Sequence, residues 1–111
     1  MAVPEIFVAR IKRFCHDRTP AELRDEMRLE VSVRGNSVTI WERRPPLTEG
    51  TDDWTRMKIA QLRYLAAGEW ALYWPDHRGR WHHYNIRRGV ALGLEEALNA
   101  VDTDELNVFF G

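Results

Sequence analysis

The hydrophobic positions near both ends of the chain recur with the period of an α-helix. In residues 5–16 the apolar side chains fall every three or four positions, which predicts a helix with one buried stripe. The stripe consists of Phe7, Val8, Ile11, Phe14 and Cys15. After Gly89 the helical period returns, and its apolar face consists of Leu94, Ala97, Leu98 and Val101. We therefore expect a helix near each end of the chain.

Two short segments are expected to complete the helical layer. Thr19, Pro20 and Glu22 fit the N-cap, the first turn and the capping-box partner of a short second N-terminal helix. At the other end of the chain, Phe109 and Phe110 follow the last predicted helix. Because adjacent phenylalanines are seldom left in water, we expect this tail to pack back onto the fold.

Between the helices, the pattern changes to the strict alternation that is typical of half-buried β-strands. Apolar side chains occupy every second position on both sides of Gly35 and Asn36, namely Leu29, Val31, Val33, Val38 and Ile40. A glycine in the first position of a two-residue connection favours a type II′ hairpin turn. This turn predicts the pairs Val33 with Val38, Val31 with Ile40, and Glu30 with Trp41.

Three further strand-like runs occupy residues 55–65, 69–75 and 80–85. Short loops of turn-forming residues separate these runs, which predicts antiparallel neighbours joined as a meander. Across the "AAG" turn, the alternation places Leu62 beside Leu72 and Tyr64 beside Trp70. The whole pattern predicts an α+β fold, with a five-stranded antiparallel β-meander, N-terminal helices and a C-terminal helix packed on one face. The length of 111 residues fits a single domain over residues 1–111.

The third hairpin decides how the aromatic segment of residues 70–84 is divided between the two faces of the sheet. A four-residue loop over residues 76–79 would pair Trp74 with Trp81. One face, expected to be core beneath the helices, then holds Trp70, Leu72, Trp74, Trp81 and His83. A slip of one residue in this pairing would exchange the faces of the whole last strand.

The opposite face combines aromatic rings with hydrogen-bonding groups, and it is the candidate ligand-binding site. Its predicted members are Gln61, Arg63, Tyr73, His82 and Tyr84, with Trp41 at the margin. Phenol, imidazole, guanidinium and amide groups together suit a peptide strand, a stacked base or a small polar molecule. The alternative is an ordinary solvated sheet face, or one covered by the C-terminal tail. The leading hypothesis is a small non-catalytic binding or interaction module, whose partner is a protein or a small polar ligand.

Three other functions compete with this hypothesis. A small enzyme would use His82 as its general acid or base, although no nucleophile or phosphate-binding loop accompanies it. A single-stranded nucleic-acid binder would combine the aromatic sheet with basic edges, although the glycine and phenylalanine signature of RNA-recognition domains is missing. A homodimer would bury this face, or an exposed strand edge, against a second copy of the chain.

Composition and charge narrow the class of protein. Apolar residues make up 44% of the chain and charged residues 30%, and the formal net charge is -1. This is the balance of a water-soluble globular protein without the strong positive field that draws proteins onto nucleic acid non-specifically. No uncharged run approaches the ~20 residues of a membrane helix, and the N-terminus carries no recognisable secretory signal. We therefore expect a cytoplasmic protein with no membrane contact.

Candidate metal ligands and nucleophiles are few. Asp76 lies close in sequence to His77, His82 and His83. Neighbouring strand residues point to opposite faces, so this spacing predicts no metal site, and no motif implies a cofactor. Cys15 is the single cysteine, which excludes an intramolecular disulfide and favours a small buried core residue.

Several segments in order carry a family resemblance. They are "RRPP", "IAQLRY", "WALYW", "GRWHHY", "LEEALNAVDTD" and the closing "FFG". From Trp41 onward, the chain resembles a family of small bacterial proteins catalogued as domain of unknown function number three-zero-two-four. The resemblance implies an architecture and a bacterial source, and it transfers no catalytic residues.

Overall fold

The computed structural model describes residues 2–46, 50, 53–84 and 91–110 of the chain. Two α-helices enclose a series of strands in chain order. The elements are α1 (Glu5–Arg18), a 3-10 helix (Ala21–Leu23), β1 (Arg28–Arg34), β2 (Ser37–Arg44), β3 (Thr55–Ala66), β4 (Glu69–Pro75), β5 (Trp81–His83), β6 (Leu92–Gly93) and α2 (Leu94–Thr103).

The strands form one antiparallel sheet in the order β1-β2-β3-β4-β5. The predicted α+β fold and five-stranded meander are therefore confirmed. The two-residue strand β6 also pairs with β4, where Leu92 lies opposite Trp70. A strand of this length carries no alternation, so the hydrophobic pattern did not predict it.

The first two tight turns have the predicted registers. Between β1 and β2 the three predicted pairs are all present, and Gly35 adopts a φ of +58° in the turn. Between β3 and β4, Leu62 lies opposite Leu72 and Tyr64 lies opposite Trp70, as the alternation predicts. Ala67 and Gly68 connect these strands with φ values of +48° and +79°, and positive φ at both positions is typical of a type I′ hairpin turn.

The predicted register of the third hairpin is wrong by one residue. Trp74 lies opposite His82 instead of Trp81, and Tyr73 lies opposite His83. The cause is the loop, in which the Asp76 N–H donates to the Arg80 carbonyl and the Gly79 N–H donates to the Asp76 carbonyl, both at 2.9 Å.

Gly79 explains why the loop takes this form. Its φ of +79° follows the turn that begins at Asp76, which is the arrangement of a three-residue hairpin loop with a bulge. The extra bulge residue shifts β5 by one position relative to a four-residue loop. As a result, Trp81 and His83 lie on the face that was expected to hold His82 and Tyr84, and the latter two lie on the opposite face.

Both helices and one face of the sheet share one hydrophobic cluster. From the sheet, its fully buried large side chains are Val38, Ile40, Ile59, Leu62, Trp70 and Leu72. From α1, the predicted stripe contributes Ile11 and Cys15 as buried residues, with Phe7, Val8 and Phe14 packed against the cluster. From α2, the buried residues are Leu94, Ala97, Leu98, Ala100 and Val101. The other face of the sheet lies away from this cluster.

Of the two short segments that were expected to complete the helical layer, only the C-terminal tail agrees with its prediction. The predicted second helix is only the 3-10 turn Ala21–Leu23. Thr19 does not cap it, because its hydroxyl donates instead to the carbonyl of Cys15 in α1 (3.3 Å). The C-terminal tail packs onto the fold as predicted. Phe109 is buried against Tyr84, with the ring centroids 5.2 Å apart, and the Asp104 carboxylate accepts hydrogen bonds from tail backbone N–H groups.

Substitutions at two neighbouring residues test the register of β5. Tyr84→Ala removes a buried ring, and we expect it to lower the free energy of unfolding by about 3 kcal/mol. His83→Ala removes an exposed ring, and we expect a loss below about 1 kcal/mol. Urea denaturation followed by circular dichroism measures both values. A larger loss for His83→Ala than for Tyr84→Ala would contradict the register.

Candidate functional site

The sheet face that lies away from the helices is the candidate site, and we call it the open face. Cross-strand pairing arranges its side chains in rows. One row consists of Ser32, Thr39, Gln61, Tyr73 and His83. The neighbouring row consists of Glu30, Trp41 and Lys58, followed by Pro75 and Trp81. Aromatic rings therefore occur on β2, β4 and β5 within two adjacent rows.

Cationic side chains border these two rows at both ends of the strands. One end carries Arg34 and Arg63, and the other carries Arg28, Arg43 and Arg56. With Lys58, the described strand positions of the open face hold six cations. The alternation places only two carboxylates, Glu30 and Glu69, on this face among those strand positions, and Glu30 is ion-paired with Arg43 at 3.1 Å. The open face is therefore positively charged, although the chain as a whole has a net charge of -1.

The cations and the rings of the open face are paired with one another. The distances to the ring centroids are 3.8 Å for Arg63 over Tyr73, 4.2 Å for Arg56 over Trp41, 4.3 Å for Arg28 over Trp54, and 5.3 Å for Lys58 over Trp81. Each distance is within the range in which the ring quadrupole attracts a cation. These contacts hold the charges close to the sheet surface.

Hydrogen bonds fix the polar groups between the rings. The Trp41 indole N–H donates to the Ser32 hydroxyl at 2.7 Å. The Gln61 amide donates to Thr39 Oγ1 at 3.1 Å and accepts a hydrogen bond from Arg63 Nε at 2.8 Å. A concavity of about 270 Å³ lies among these groups, lined in part by Trp41, Gln61 and Trp81. The surface is therefore largely preorganised before any ligand binds.

A bulge in β3 brings two of the cations onto the open face. Ile40 pairs with Ala60, but the next residue, Trp41, pairs with Lys58, so Ile59 is an extra residue in the strand. The bulge reverses the alternation of β3 at this point. Without it, Lys58 and Arg56 would share a face with Ala60 and point into the core. The continuous sequence "KIAQL" gives no turn signal that would have predicted this bulge.

Four of the six predicted site residues lie together on the open face. They are Trp41, Gln61, Arg63 and Tyr73. The placement of His82 and Tyr84 beside them is wrong, because the one-residue shift of β5 turns both away. Trp81 and His83 occupy that strand on the open face instead, and the His83 ring lies 5.2 Å from the Tyr73 ring. The sequence signal for this shift was "DHRG", because aspartate first and glycine fourth favour a type I turn.

His82 holds the third hairpin loop in place. Its Nε2 is 2.8 Å from Asp76 Oδ2, and its ring is stacked on Trp74 with a centroid distance of 4.6 Å. The backbone N–H groups of Arg78 and Arg80 also donate to Asp76 Oδ1, each at 2.9 Å. The hydrogen bond from His82 and the backbone hydrogen bond from Arg80 lower the pKa of Asp76 from 3.8 to about 2. The contacts of His82 are therefore those of a residue that stabilises the hairpin loop.

Tyr84 is a buried phenol. It is 8% exposed and packs against Phe109. Burial raises the pKa of Tyr84, and the negative charges of Glu105 and Asp104 add to this effect. The group is therefore an element of the core and has no surface for a ligand.

The candidate metal and nucleophile residues do not form a reactive site in the described part of the chain. No group of three or more histidine, cysteine, aspartate or glutamate residues there is arranged to hold a metal ion. Cys15 is 2% exposed, and burial raises the pKa of its thiol to about 12. It borders a separate concavity of about 360 Å³ between α1 and β1, where His16 contacts Arg24 instead of the thiol.

Nearly all of the chain matches one known protein family. The model of the family described as Domain of unknown function (DUF3024) matches residues 2–111. The chain belongs to this family. The match confirms the resemblance seen from Trp41 onward and extends it through α1 of this DUF3024 chain. No curated protein and no solved structure matches the chain. Among the described residues, none of the helices is long and apolar enough to cross a membrane.

The Asp76 carboxyl group provides a pH test of the loop in this DUF3024 protein. Because its pKa is about 2 when folded and 3.8 ordinarily, its charge stabilises the fold above pH 3.8. That stabilisation is lost as the pH falls through about 2. In His82→Ala we expect the Asp76 pKa to rise toward 3.8, and carbon NMR of the carboxyl group measures it.

His83→Ala is the matched control for this titration, because His83 lies on the opposite face of the same strand. We expect the Asp76 pKa to stay near 2 in this variant. An Asp76 pKa that does not change in His82→Ala would show that the hydrogen bond from His82 is not its main cause.

Proposed function

We propose that this DUF3024 protein is a non-catalytic binding module whose open face holds an anionic ligand. The observation that carries the proposal is the concentration of cation-aromatic pairs on one face. Four of the five such pairs in the described residues lie there. An apolar core does not require these pairs, because the core is formed on the opposite face.

The charge of the open face favours a negatively charged partner. Six cations and two carboxylates occupy its described strand positions, in a chain of net charge -1. A surface of one sign attracts ligands of the opposite sign and raises their rate of association. The aromatic rings beneath the cations add apolar contact area, so the proposed ligand combines negative charge with flat or apolar groups.

A histidine-centred enzyme has less support than a binding module. His82 is hydrogen-bonded to Asp76 and stacked on Trp74, outside the open face. A catalytic acid or base needs a substrate site within hydrogen-bond reach and a partner group for the chemistry. In the described residues two concavities border the open face, one of about 270 Å³ and one of about 450 Å³ that also reaches Asp76, and His82 lines neither of them.

A homodimer through the open face has an electrostatic disadvantage. A twofold contact through this face would bring two positively charged surfaces together, and opposed like charges destabilise an interface. The exposed edge of β1 offers a different route to a dimer, since its outer side has no neighbouring strand among the described residues.

We also propose a cytoplasmic location in a bacterium. The single cysteine is free and buried in the core, which suits a reducing compartment. The bacterial source rests on the resemblance of the sequence segments described above.

Capture from a native bacterial lysate tests the proposed function. We compare the wild-type protein with Arg63→Ala/Tyr73→Ala, which removes the closest cation-aromatic pair of the open face. We expect at least one retained nucleic acid, metabolite or protein to be lost with this variant, because its binding groups are removed. Mass spectrometry and nucleic-acid sequencing identify the retained components.

The matched control is Lys12→Ala/Arg13→Ala, which removes two exposed cations from α1. Circular dichroism verifies that both variants are folded. Equal retention of every component by the wild type and the Arg63→Ala/Tyr73→Ala variant would contradict a binding role for the open face.

A further inference from the structure

We propose that the ligand of the open face is single-stranded nucleic acid, an inference that rests on the proposed function. Single strands combine a regular series of negative phosphates with flat bases that are free to stack. The open face presents both complementary features, since its cations border rows of aromatic rings. An acidic peptide matches the charge of this surface but offers few flat groups for the rings.

The paired arginines provide stacking planes as well as charge. The guanidinium of Arg63 lies 3.8 Å from the Tyr73 ring centroid, and that of Arg56 lies 4.2 Å from the Trp41 ring centroid. An arginine held over a ring leaves its outer plane available, and unpaired bases stack on such planes and on aromatic rings. Trp81 of β5 offers a further ring, with Lys58 of β3 over it.

The arrangement of the rows fits a short segment of single strand. Four rows along the strands cover roughly 20 Å, because two residues of a strand advance about 6.6 Å. The aromatic rows occupy the middle, and arginines stand at both ends of the strands. A strand that crosses the face therefore meets rings with its bases and cations with its phosphates.

The geometry also predicts selectivity against duplexes. The rings of Trp41 and Tyr73 are half-buried, and an arginine lies over each of them. In a duplex the bases are stacked inside, so rings of this kind cannot reach them. The Trp41 indole N–H, one Gln61 amide N–H and the Arg63 Nε–H are already used within the face, and the remaining guanidinium N–H groups of Arg63 are expected to contact phosphates. We therefore expect weak sequence preference.

Fluorescence anisotropy with a labelled oligothymidylate of about 12 nucleotides tests the inference directly. We expect the purified protein to bind it at least about tenfold more tightly than a duplex of equal length. Arg34, Arg56, Lys58 and Arg63 are the cations of the face that we expect to contact phosphates. With about four such contacts, the affinity falls about 50-fold between ~50 and ~200 mM salt, because a single strand gives a slope near -0.7 for each contact.

Two variants and one control assign the binding to the open face. Arg34→Gln/Arg63→Gln lowers the affinity and makes the salt slope about 1.4 units shallower. Tyr73→Ala weakens binding about tenfold through lost stacking. Lys12→Gln/Arg13→Gln changes the net charge as much as the arginine variant but lies on α1, and it leaves the affinity and the slope unchanged. Circular dichroism verifies the fold of each variant.

Four results would overturn the inference. The first three are equal binding of the duplex, equal binding of polyglutamate, and an equal effect of the α1 control and the open-face variants. The fourth is the absence of oligonucleotide binding. If lysate capture still depends on Arg63 and Tyr73 in that case, the proposed binding role stands and only the class of ligand is wrong.

Discussion

The backbone register of the sheet is the constraint on which the rest of this structure depends. Strand side chains alternate between two faces, so a shift of one residue moves a whole strand from core to surface. In this chain the hairpin turns, the bulge at Ile59 and a second register shift between Tyr64 and Ala66 together set the register of five strands. They place Trp70 and Leu72 beneath the helices, and they turn Trp41, Tyr73 and Trp81 away from them.

The turns also explain which parts of the fold and of the candidate site could be predicted from the sequence. Gly35 with Asn36 gives a two-residue connection whose length fixes the neighbouring pairs, and those pairs were predicted correctly. The pairs of β3 with β4 were also predicted correctly, although they depend on the Ala67–Gly68 turn together with a register shift between Tyr64 and Ala66. The third hairpin depends on hydrogen bonds between Asp76 and Arg80, and the alternation of apolar and polar residues does not indicate these bonds. His82 and Tyr84 were therefore assigned to the wrong face.

The bulge at Ile59 could not be predicted from the hydrophobic pattern, for a different reason. Both Ile59 and Ala60 are buried, so the sequence "KIAQL" is compatible with either alternation, and only the pairing with β2 decides between them. That decision determines whether Arg56 and Lys58 belong to the core side or to the open face. The positive charge of the open face thus depends on a tertiary feature, whereas the neighbouring Gln61 and Arg63 were placed correctly by alternation.

The separation of the two faces links the fold to the proposed function. The whole chain has a net charge of -1, yet the open face is cationic, because the charges are divided unequally between the two faces of the sheet. The tryptophans are divided between the two faces in the same way. Trp70 is part of the core. A cation of the open face is in contact with each of Trp41, Trp54 and Trp81.

The five tryptophans allow the most direct test of ligand binding at the open face, because each indole N–H gives its own signal in a nitrogen-proton NMR spectrum. On titration with a single-stranded oligonucleotide, we expect the signals of Trp41, Trp54 and Trp81 to shift, while those of Trp70 and Trp74 stay in place. Larger shifts for Trp70 and Trp74 would contradict binding at the open face, and so would a spectrum that does not change.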